Sequence, residues 1–558
     1  MDGLIMDYQL TVPAILRHAE ALHGRKSIVS RRPDKTYHRY TYRDMAERAR
    51  RLAVVLMDLG VRDGERVATL AWNHHEHLEA YFGIPACGAV LHTLNLRLHP
   101  DDLTYIVNHA EDRVVLVDDV LLPVWEKVRE RVGVARVVVI PTSGRPVPDG
   151  MLDYEQLLAA ADVARFTAPD LNERQAAAMC YTSGTTGRPK GVLYSHRAIA
   201  LHSLVGTAHD VLDVSEADVV VPVVPMFHAN AWGLPFTCTL LGATQVYPGP
   251  HLDPASLLEL YQDERATVAA GVPTIWLGLL HSLDQNPEAY DLRLRTLIVG
   301  GQAAPRSMIE GFQERHGLTI LHAWGMTEMA PLGTVSRLTG DLREASPEEQ
   351  YAYRAKQGQP APFIEIRARG DGGFVPWDGA TMGELEVRGP WVANAYHNST
   401  DENDRFTHDG WLRTGDIVTI DPRGYVAITD RTKDVIKSGG EWISSVALEN
   451  ALMGHPAVAE AAVIAVPHLK WGERPLAVVV LKEGHAATAQ ELLSYLARDF
   501  AHWWIPDGVV FVTEIPRTSV GKFRKSALRE RFRDYAVPTS VAADARSAVG
   551  VERADTHQ

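Results

Sequence analysis

Between Tyr181 and Gly191 the chain reads Tyr-Thr-Ser-Gly-Thr-Thr-Gly-Arg-Pro-Lys-Gly, which gathers four aliphatic hydroxyls (Thr182, Ser183, Thr185, Thr186), three glycines (Gly184, Gly187, Gly191) and Lys190. Glycines let a backbone approach a ligand closely and turn several N–H groups toward it. Hydroxyls donate to phosphate oxygens, and a lysine adds a mobile positive charge. A triphosphate is the ligand such a loop suits best. The segment is not a Walker A loop, because Lys190 follows Pro189 and precedes Gly191 rather than Ser or Thr. The competing reading is a solvent loop rich in turn residues.

Six further segments carry chemistry. His322-Ala-Trp-Gly-Met-Thr-Glu-Met329 sets an aromatic, a glycine, a hydroxyl and a carboxylate within a few residues. Trp324 is suited to stacking on a base, Gly325 to edging a ligand, Thr327 to bonding phosphate and Glu328 to holding Mg²⁺ through oxygen. Val299-Gly-Gly-Gln-Ala-Ala-Pro305 leaves room for a flat base beside its backbone. Gly410-Trp-Leu-Arg-Thr-Gly-Asp416 ends in a carboxylate able to accept both hydrogens of a ribose diol. The glycine pair of Ser438-Gly-Gly-Glu-Trp-Ile-Ser444 suits a close backbone approach, and Pro225-Met-Phe-His-Ala-Asn-Ala-Trp-Gly233 places a histidine among aromatics. Taken alone, His228 and Trp232 read as core residues. Lys522, in Pro516-Arg-Thr-Ser-Val-Gly-Lys-Phe-Arg-Lys525, reads alone as one more cation at the start of a basic helix.

These residues need strands and helices to position them. Arg43 to Leu59 has the period of an amphipathic helix that stops near Gly60, and Arg66 to Ala71, Arg113 to Val117 and Val137 to Ile140 read as strands. Asp218 to Pro225 and Leu294 to Val299 read as buried strands that run straight into the unusual loops. Strands alternating with helices predict a layered α/β lobe with much parallel sheet, whose sites lie at the carboxyl ends of strands. The phosphate-type loop is expected between a strand and a helix that begins after Ser195. From Gly370 short strands cut by glycines predict a small β subdomain. After Asp434 the strands Val458 to Val466, Ala477 to Leu481 and Val509 to Val512, with helices Ala489 to Phe500 and Lys522 to Phe532, predict a compact α/β module.

In their order and spacing, the segments from about Thr41 to Lys525 resemble the adenylate-forming superfamily of acyl-CoA synthetases, peptide-synthetase adenylation domains and firefly-type luciferases. They look most like medium- and long-chain fatty acyl-CoA synthetases. The resemblance implies an α/β fold: a large N-terminal lobe of layered α/β subdomains plus a small β subdomain (1–432), a small mobile C-terminal α/β domain (433–537) and a flexible tail (538–558). It implies activation of a carboxylic acid by ATP as acyl-AMP, then transfer to coenzyme A. ATP or AMP would contact Thr182, Ser183, Gly184, Thr185, Thr186, Gly187, Lys190, Gly301, Gln302, Ala303, Trp324, Gly325, Met326, Thr327, Asp416, Arg431 and Lys522. Relatives commonly carry Tyr where Trp324 stands. Mg²⁺ would sit at Thr182 and Glu328. His228 would lie between adenylate and acyl pocket, with Trp232 gating an acyl tunnel. Catalysis would fall to Lys522, Thr182, Lys190, His228 and Glu328. Asp430 to Lys437 resembles the interdomain linker, with Lys433 as hinge. Lys437, Ser438, Gly439, Gly440, Glu441 and Trp442 would line the coenzyme A channel. A short acid such as methylthiopropionate, or an aryl acid, is the alternative substrate, and relatives suggest a homodimer.

The bulk properties agree with an enzyme acting on small molecules. Of 558 residues, 46% are apolar and 23% charged, and the net charge of −14 argues against nucleic acid or an anionic membrane as partner. The three cysteines, Cys87, Cys180 and Cys238, are too scattered for a zinc site and fit a reducing compartment. No basic segment followed by an apolar run opens the chain and no apolar run spans a bilayer, so a cytoplasmic protein is expected. No carrier-domain motif follows Lys525, which separates the chain from peptide synthetases. A non-catalytic nucleotide-binding protein would be expected to have lost Lys522, Glu328 or the phosphate-type loop.

Overall fold

The computed structural model describes residues 3–182, 188–370, 372–399, 405–438, 441–517, 523–533 and 535. Its contacts divide the chain into two compact units, Met1–Val435 with Pro516–Arg524, and Ile436–Ile515 with Lys525–Gln558.

The first unit holds a nine-stranded sheet, a seven-stranded sheet and a five-stranded sheet. In the nine-stranded sheet the strands Val219–Pro222, Val268–Gly271, Thr296–Val299 and Thr319–Gly325 run parallel and side by side, buried on both faces. Their near-continuous Val, Ile, Leu and Ala content is what a doubly covered parallel sheet requires. Because the strands are parallel and in register, the loops that leave Pro222, Val299 and Gly325 emerge at one edge. The strand after Asp218 is shorter than the sequence suggests. Pro222 has no N–H to continue the ladder, and just beyond it the N–H groups of Val223 and Val224 both donate to Ala270 O.

The helix Tyr42–Asp58 forms as its periodicity predicts, opened by a capping box in which Thr41 and Asp44 satisfy each other's backbone N–H. It packs on helix His75–Ala86, which touches strands of both large sheets and is buried at every position. A Cβ on Gly83 would lie 2.7 Å from Ala49 O, so close helix packing requires glycine there.

One expectation is corrected in the seven-stranded sheet. The loop after Tyr181 leads to a further strand, Gly191–Ser195, antiparallel to Ala176–Tyr181, before the helix His196–Gly206 begins. Val192 and Tyr194 face inward and Leu193 outward, an alternation too short to separate from a helix start by period alone. Ser195 still caps the helix, accepting from the N–H of Ala198. Cys87, Cys180 and Cys238 are buried thiols.

The small β subdomain is the five-stranded sheet from Glu365 to Arg431. In the second unit, the long hairpin of Val458–His468 and Gly472–Leu481 is flanked by Gly508–Phe511 and by the short pair Ile436–Ser438 and Glu441–Ile443. The helices there are shorter than expected, Ala489–Leu496 and Lys525–Arg531. Among the described residues no helix is long and apolar enough to cross a membrane.

Candidate active site

The three loops at the sheet edge, the start of strand Gly191–Ser195 and the five-stranded sheet enclose one cavity of about 820 Å³ within the first unit. At one end lies Trp324, which donates its indole N–H to Asp416 Oδ2 at 3.0 Å, while Arg431 Nε donates to Asp416 Oδ1 at 2.8 Å. Asp416 and Arg431 are register partners on neighbouring antiparallel strands, so the sheet itself aligns this pair. The Asp416 carboxylate raises the already high affinity of the Arg431 guanidinium for its proton. Two glycines shape the surroundings. A Cβ on Gly325 would stand 1.9 Å from Pro331 O, and one on Gly333 would stand 2.5 Å from the Trp324 ring.

In the middle, a single turn of 3₁₀ helix, Thr327–Met329, presents Thr327 and the buried Glu328. Tyr396 donates to Glu328 Oε1 at 2.6 Å, and Arg405 Nη2 lies 3.7 Å from the same oxygen. The Lys190 ammonium sits 5.0 Å from the centre of the Tyr396 ring. Burial and the Glu328 charge together raise the pKa of Tyr396, which keeps it a neutral donor. Lys190 N–H donates to Thr182 Oγ1 at 3.1 Å, and Thr182 N–H donates to Lys190 O at 2.9 Å, closing the base of the loop between them.

Another part of the lining is apolar. Leu212, Trp232, Leu234, Ile298 and Leu332 line it, with His202 and His228. Ala229, Asn230, Ala231 and Trp232 all have positive φ, between 42° and 57°, and Gly233 follows at 75°. A left-handed run of this kind costs roughly 1–2 kcal/mol per non-glycine residue and persists only where its surroundings hold it. The support comes from the seven-stranded sheet and the helix between the sheets. Asn73 donates to Pro222 O at 2.8 Å and Val224 O at 2.9 Å and accepts from Met226 N–H at 2.8 Å. Thr93 donates to Phe227 O at 3.3 Å and Cys180 to Asn230 Oδ1 at 3.1 Å. The Trp232 ring packs onto Gly300, where a Cβ would come within 3.2 Å of it. Burial pushes the His202 imidazole down to about 4, so it is uncharged at neutral pH.

Thus Thr182, Lys190, His228, Trp232, Gly301, Trp324, Gly325, Met326, Thr327, Glu328, Arg431 and Lys433 come together around one cavity, and Asp416 reaches it through Trp324 and Arg431. Gln302 and Ala303 are half-buried and do not line it. Lys437, Ser438, Glu441 and Trp442 belong to the second unit, where Lys437 is opposite Trp442 and Ser438 opposite Glu441 in an antiparallel pair. The Lys437 N–H there donates to Glu473 Oε2 at 2.8 Å. Ser183, Gly184, Thr185, Thr186, Gly187, Gly439, Gly440 and Lys522 lie outside the described residues, as does most of the stretch after 533. Sequence reasoning missed Tyr396 and Arg405 at Glu328, and Tyr105, His109, Arg188 and His397 beside Lys190. The available signal was the run Tyr396-His-Asn398 in a segment otherwise rich in turn residues.

Oxygen donors at Thr182 and Glu328 suit Mg²⁺, which is typically held by one or two carboxylates together with substrate phosphates. Among the described residues no group of three or more His, Cys, Asp or Glu side chains is arranged to hold a metal ion.

Residues 16–397 match the AMP-binding enzyme family and residues 447–522 its C-terminal domain. The chain is 50% identical over 535 residues to a long-chain-fatty-acid–CoA ligase of Thermus thermophilus, covering 95% of this chain and 97% of that one. It is 45% identical over 539 residues to a 3-methylmercaptopropionyl-CoA ligase of Ruegeria pomeroyi, covering 96% and 99%. Its fold is similar to that of an anthranilate CoA ligase solved in complex with anthranoyl-AMP, with a TM-score of 0.85 and 26% identity over 95% of this chain and 99% of that one. With family matches over both compact units, and a cavity that joins a carboxylate–arginine–indole end to a lysine, a hydroxyl and a carboxylate, the chain belongs to the AMP-binding enzyme family.

Proposed function

We propose that the acid activated by this AMP-forming acid–CoA ligase is a medium- or long-chain fatty acid. The observation that carries the reading is the polarity of the cavity, whose lining joins Arg431, paired with Asp416, and the polar groups Glu328 and Lys190 to the apolar side chains Trp232, Leu234, Ile298 and Leu332. An alkyl chain is favourable there, at roughly 0.8 kcal/mol per buried CH₂. The likeness to the Thermus thermophilus ligase supports the same acid class.

In this reading Trp324 stacks on adenine, beside the Gly301, Gln302 and Ala303 stretch. Asp416 and Arg431 bind the ribose hydroxyls. Thr182 to Gly187, with Lys190 and Thr327, hold the phosphates. Glu328 and Thr182 hold Mg²⁺, which when bound neutralises phosphate charge. The acid's carboxylate, placed near His228 and the Gly325–Met326 backbone, attacks the α-phosphorus and expels pyrophosphate. Lys522 joins the carboxylate to the α-phosphate and offsets the charge that develops. The coenzyme A thiol then attacks the acyl carbonyl and expels AMP. For that step the C-terminal domain turns about Lys433, withdraws Lys522 and brings in the segment Lys437 to Trp442. The working enzyme is a cytoplasmic homodimer.

The test is a panel of acids of increasing chain length, assayed for AMP release dependent on ATP and coenzyme A. A maximum at medium or long alkyl acids is expected. A maximum at 3-methylmercaptopropionate would favour the second reading, which the 45% identity to the Ruegeria pomeroyi ligase supports. ADP as the sole nucleotide product would overturn both.

A further inference from the structure

Beyond Lys190 the cavity ends in groups that the adenylation chemistry above leaves without a task. His109 Nδ1 and the Tyr181 hydroxyl are 2.7 Å apart, and the His109 and His397 rings meet edge to face with centres 5.7 Å apart. Arg188 lies over the Tyr105 ring at 5.1 Å, and Tyr105 lies beside His109 at 5.2 Å. This cluster is built into the loop's own frame. His397 N–H donates to Gly191 O at 2.8 Å, and a Cβ on Gly191 would come within 3.0 Å of the Tyr181 ring and 3.3 Å of His397 Cβ. His397 Nε2 is buried with no hydrogen-bond partner among the described residues, although a buried polar atom ordinarily has one.

Two groups of contacts run through the lining of this cavity. Trp324 touches Asp416, which pairs with Arg431; Glu328 touches Tyr396, which Lys190 covers; Lys190 is hydrogen-bonded to Thr182; and Thr182 follows Tyr181, the partner of His109. A triphosphate whose base lies at Trp324 and whose inner phosphates lie at Thr182 and Lys190 therefore sends its terminal phosphates toward the imidazoles.

Resting on the ligase reading, we propose that His109 and His397, with Arg188 and Lys190, form a subsite for the terminal phosphates of the nucleotide and hold the departing pyrophosphate. With the Tyr181 hydroxyl donating to Nδ1, His109 presents its Nε2–H to the anion, and His397 presents Nε2, which gains a proton as the anion binds. Burial keeps both imidazoles below the ordinary value, His92 lowers both, His109 and Arg66 also lower His397, and Glu111 raises both. They are neutral when no anion is bound, so charge appears there only with the phosphate. The neighbouring Tyr181 is held neutral by burial.

The experiment titrates the full-length protein with inorganic pyrophosphate and, separately, with AMP, for the wild type, His109→Phe, the conservative His397→Gln and the double variant. Each hydrogen bond to a charged group contributes enough that pyrophosphate binding should weaken about tenfold in each single variant, with AMP binding unchanged. Proton uptake on pyrophosphate binding at pH 7, read from heats in buffers of different ionisation enthalpy, should fall in the double variant. Unchanged pyrophosphate affinity, or equal loss for pyrophosphate and AMP, overturns the subsite. Acid-dependent pyrophosphate exchange by the wild type separates the two readings: no exchange with any acid sinks the ligase reading, whereas exchange alongside unaltered variants sinks only the subsite.

Discussion

Glu328 shows how one carboxylate becomes specialised. It is 5% exposed, and its charge is met on one oxygen by the Tyr396 hydroxyl and, more distantly, by Arg405. Such anchoring fixes the direction of the other oxygen, which is what a metal ligand needs. The same tyrosine ring carries the Lys190 ammonium, so one side chain sets two groups of opposite charge. Tyr396→Phe keeps the ring and removes only the donor. Losing a hydrogen bond to a charged group is worth about tenfold in an equilibrium constant, so the Mg²⁺ concentration for half-maximal rate should rise about tenfold. The Michaelis constant for the fatty acid should stay the same. A magnesium titration of initial rates, with direct Mn²⁺ binding as a second readout, checks this. An unaltered Mg²⁺ requirement would mean that Tyr396 does not orient Glu328.

At the scale of elements, the turn 229–233 is the least expected feature. Four non-glycine residues lie in the left-handed region, where Cys180 of the neighbouring sheet holds Asn230 while Asn73 and Thr93 hold the approach at 222–227. Gly233 completes it at the point where a Cβ would stand 2.5 Å from the His202 ring. The turn aims Trp232 across Gly300 into the apolar end of the cavity. Trp232→Ala should therefore shift chain-length preference toward longer acids while leaving the Michaelis constant for ATP within about twofold. Removing a large buried side chain typically lowers stability by ~3–5 kcal/mol, so melting temperature must be followed alongside. An equal loss for all acids would assign Trp232 to packing alone.

Two predictions belong to the whole molecule. Burial pushes the imidazoles of His196, His202 and His322 down to about 4 and, with the charge of His74, that of His77 to about 3. Their folded values lie below the unfolded value of 6.5, so between pH 6.5 and 4 the unfolded chain binds more protons. Stability should fall as pH falls through that window, with each such histidine adding up to about 1.4 kcal/mol per pH unit. For His74 burial is outweighed by the Asp118 and Glu76 carboxylates, which raise it to about 10. Its contribution is complete below pH 6.5 and is lost as pH rises toward 10. Melting temperature measured from pH 7.5 to 5 should drop, and His196→Gln should make the drop shallower; an identical slope would clear His196. The second prediction separates the half-reactions. Lys522→Ala should abolish acid-dependent pyrophosphate exchange, by about 10²–10³ in rate, yet still convert synthetic acyl-adenylate and coenzyme A to thioester. Gly440→Leu should do the reverse. Equal loss of both half-reactions in both folded variants would exclude a domain rotation between steps.

Much of the chemistry was legible in the residues themselves, because composition and spacing within a loop fix its local conformation and donors. The Trp324 to Glu328 turn and the Thr41 cap are encoded within stretches of a few residues. Strands such as Thr296–Val299 showed in their continuous apolar runs. The strand Gly191–Ser195 was hidden because five residues hold too few alternations to establish a period. Pairings between distant residues were not legible at all. Trp324 and Asp416 are 92 positions apart, Glu328 and Tyr396 68, His109 and Tyr181 72, and Asn73 and Pro222 149. Which of these side chains meet depends on the register of parallel strands and on how two sheets clasp one helix, and no local stretch specifies either. The sequence by itself determined what the site is made of. Tertiary packing alone decided how the carboxylates are paired, where the left-handed turn aims Trp232 and which imidazoles line the same cavity as Lys190.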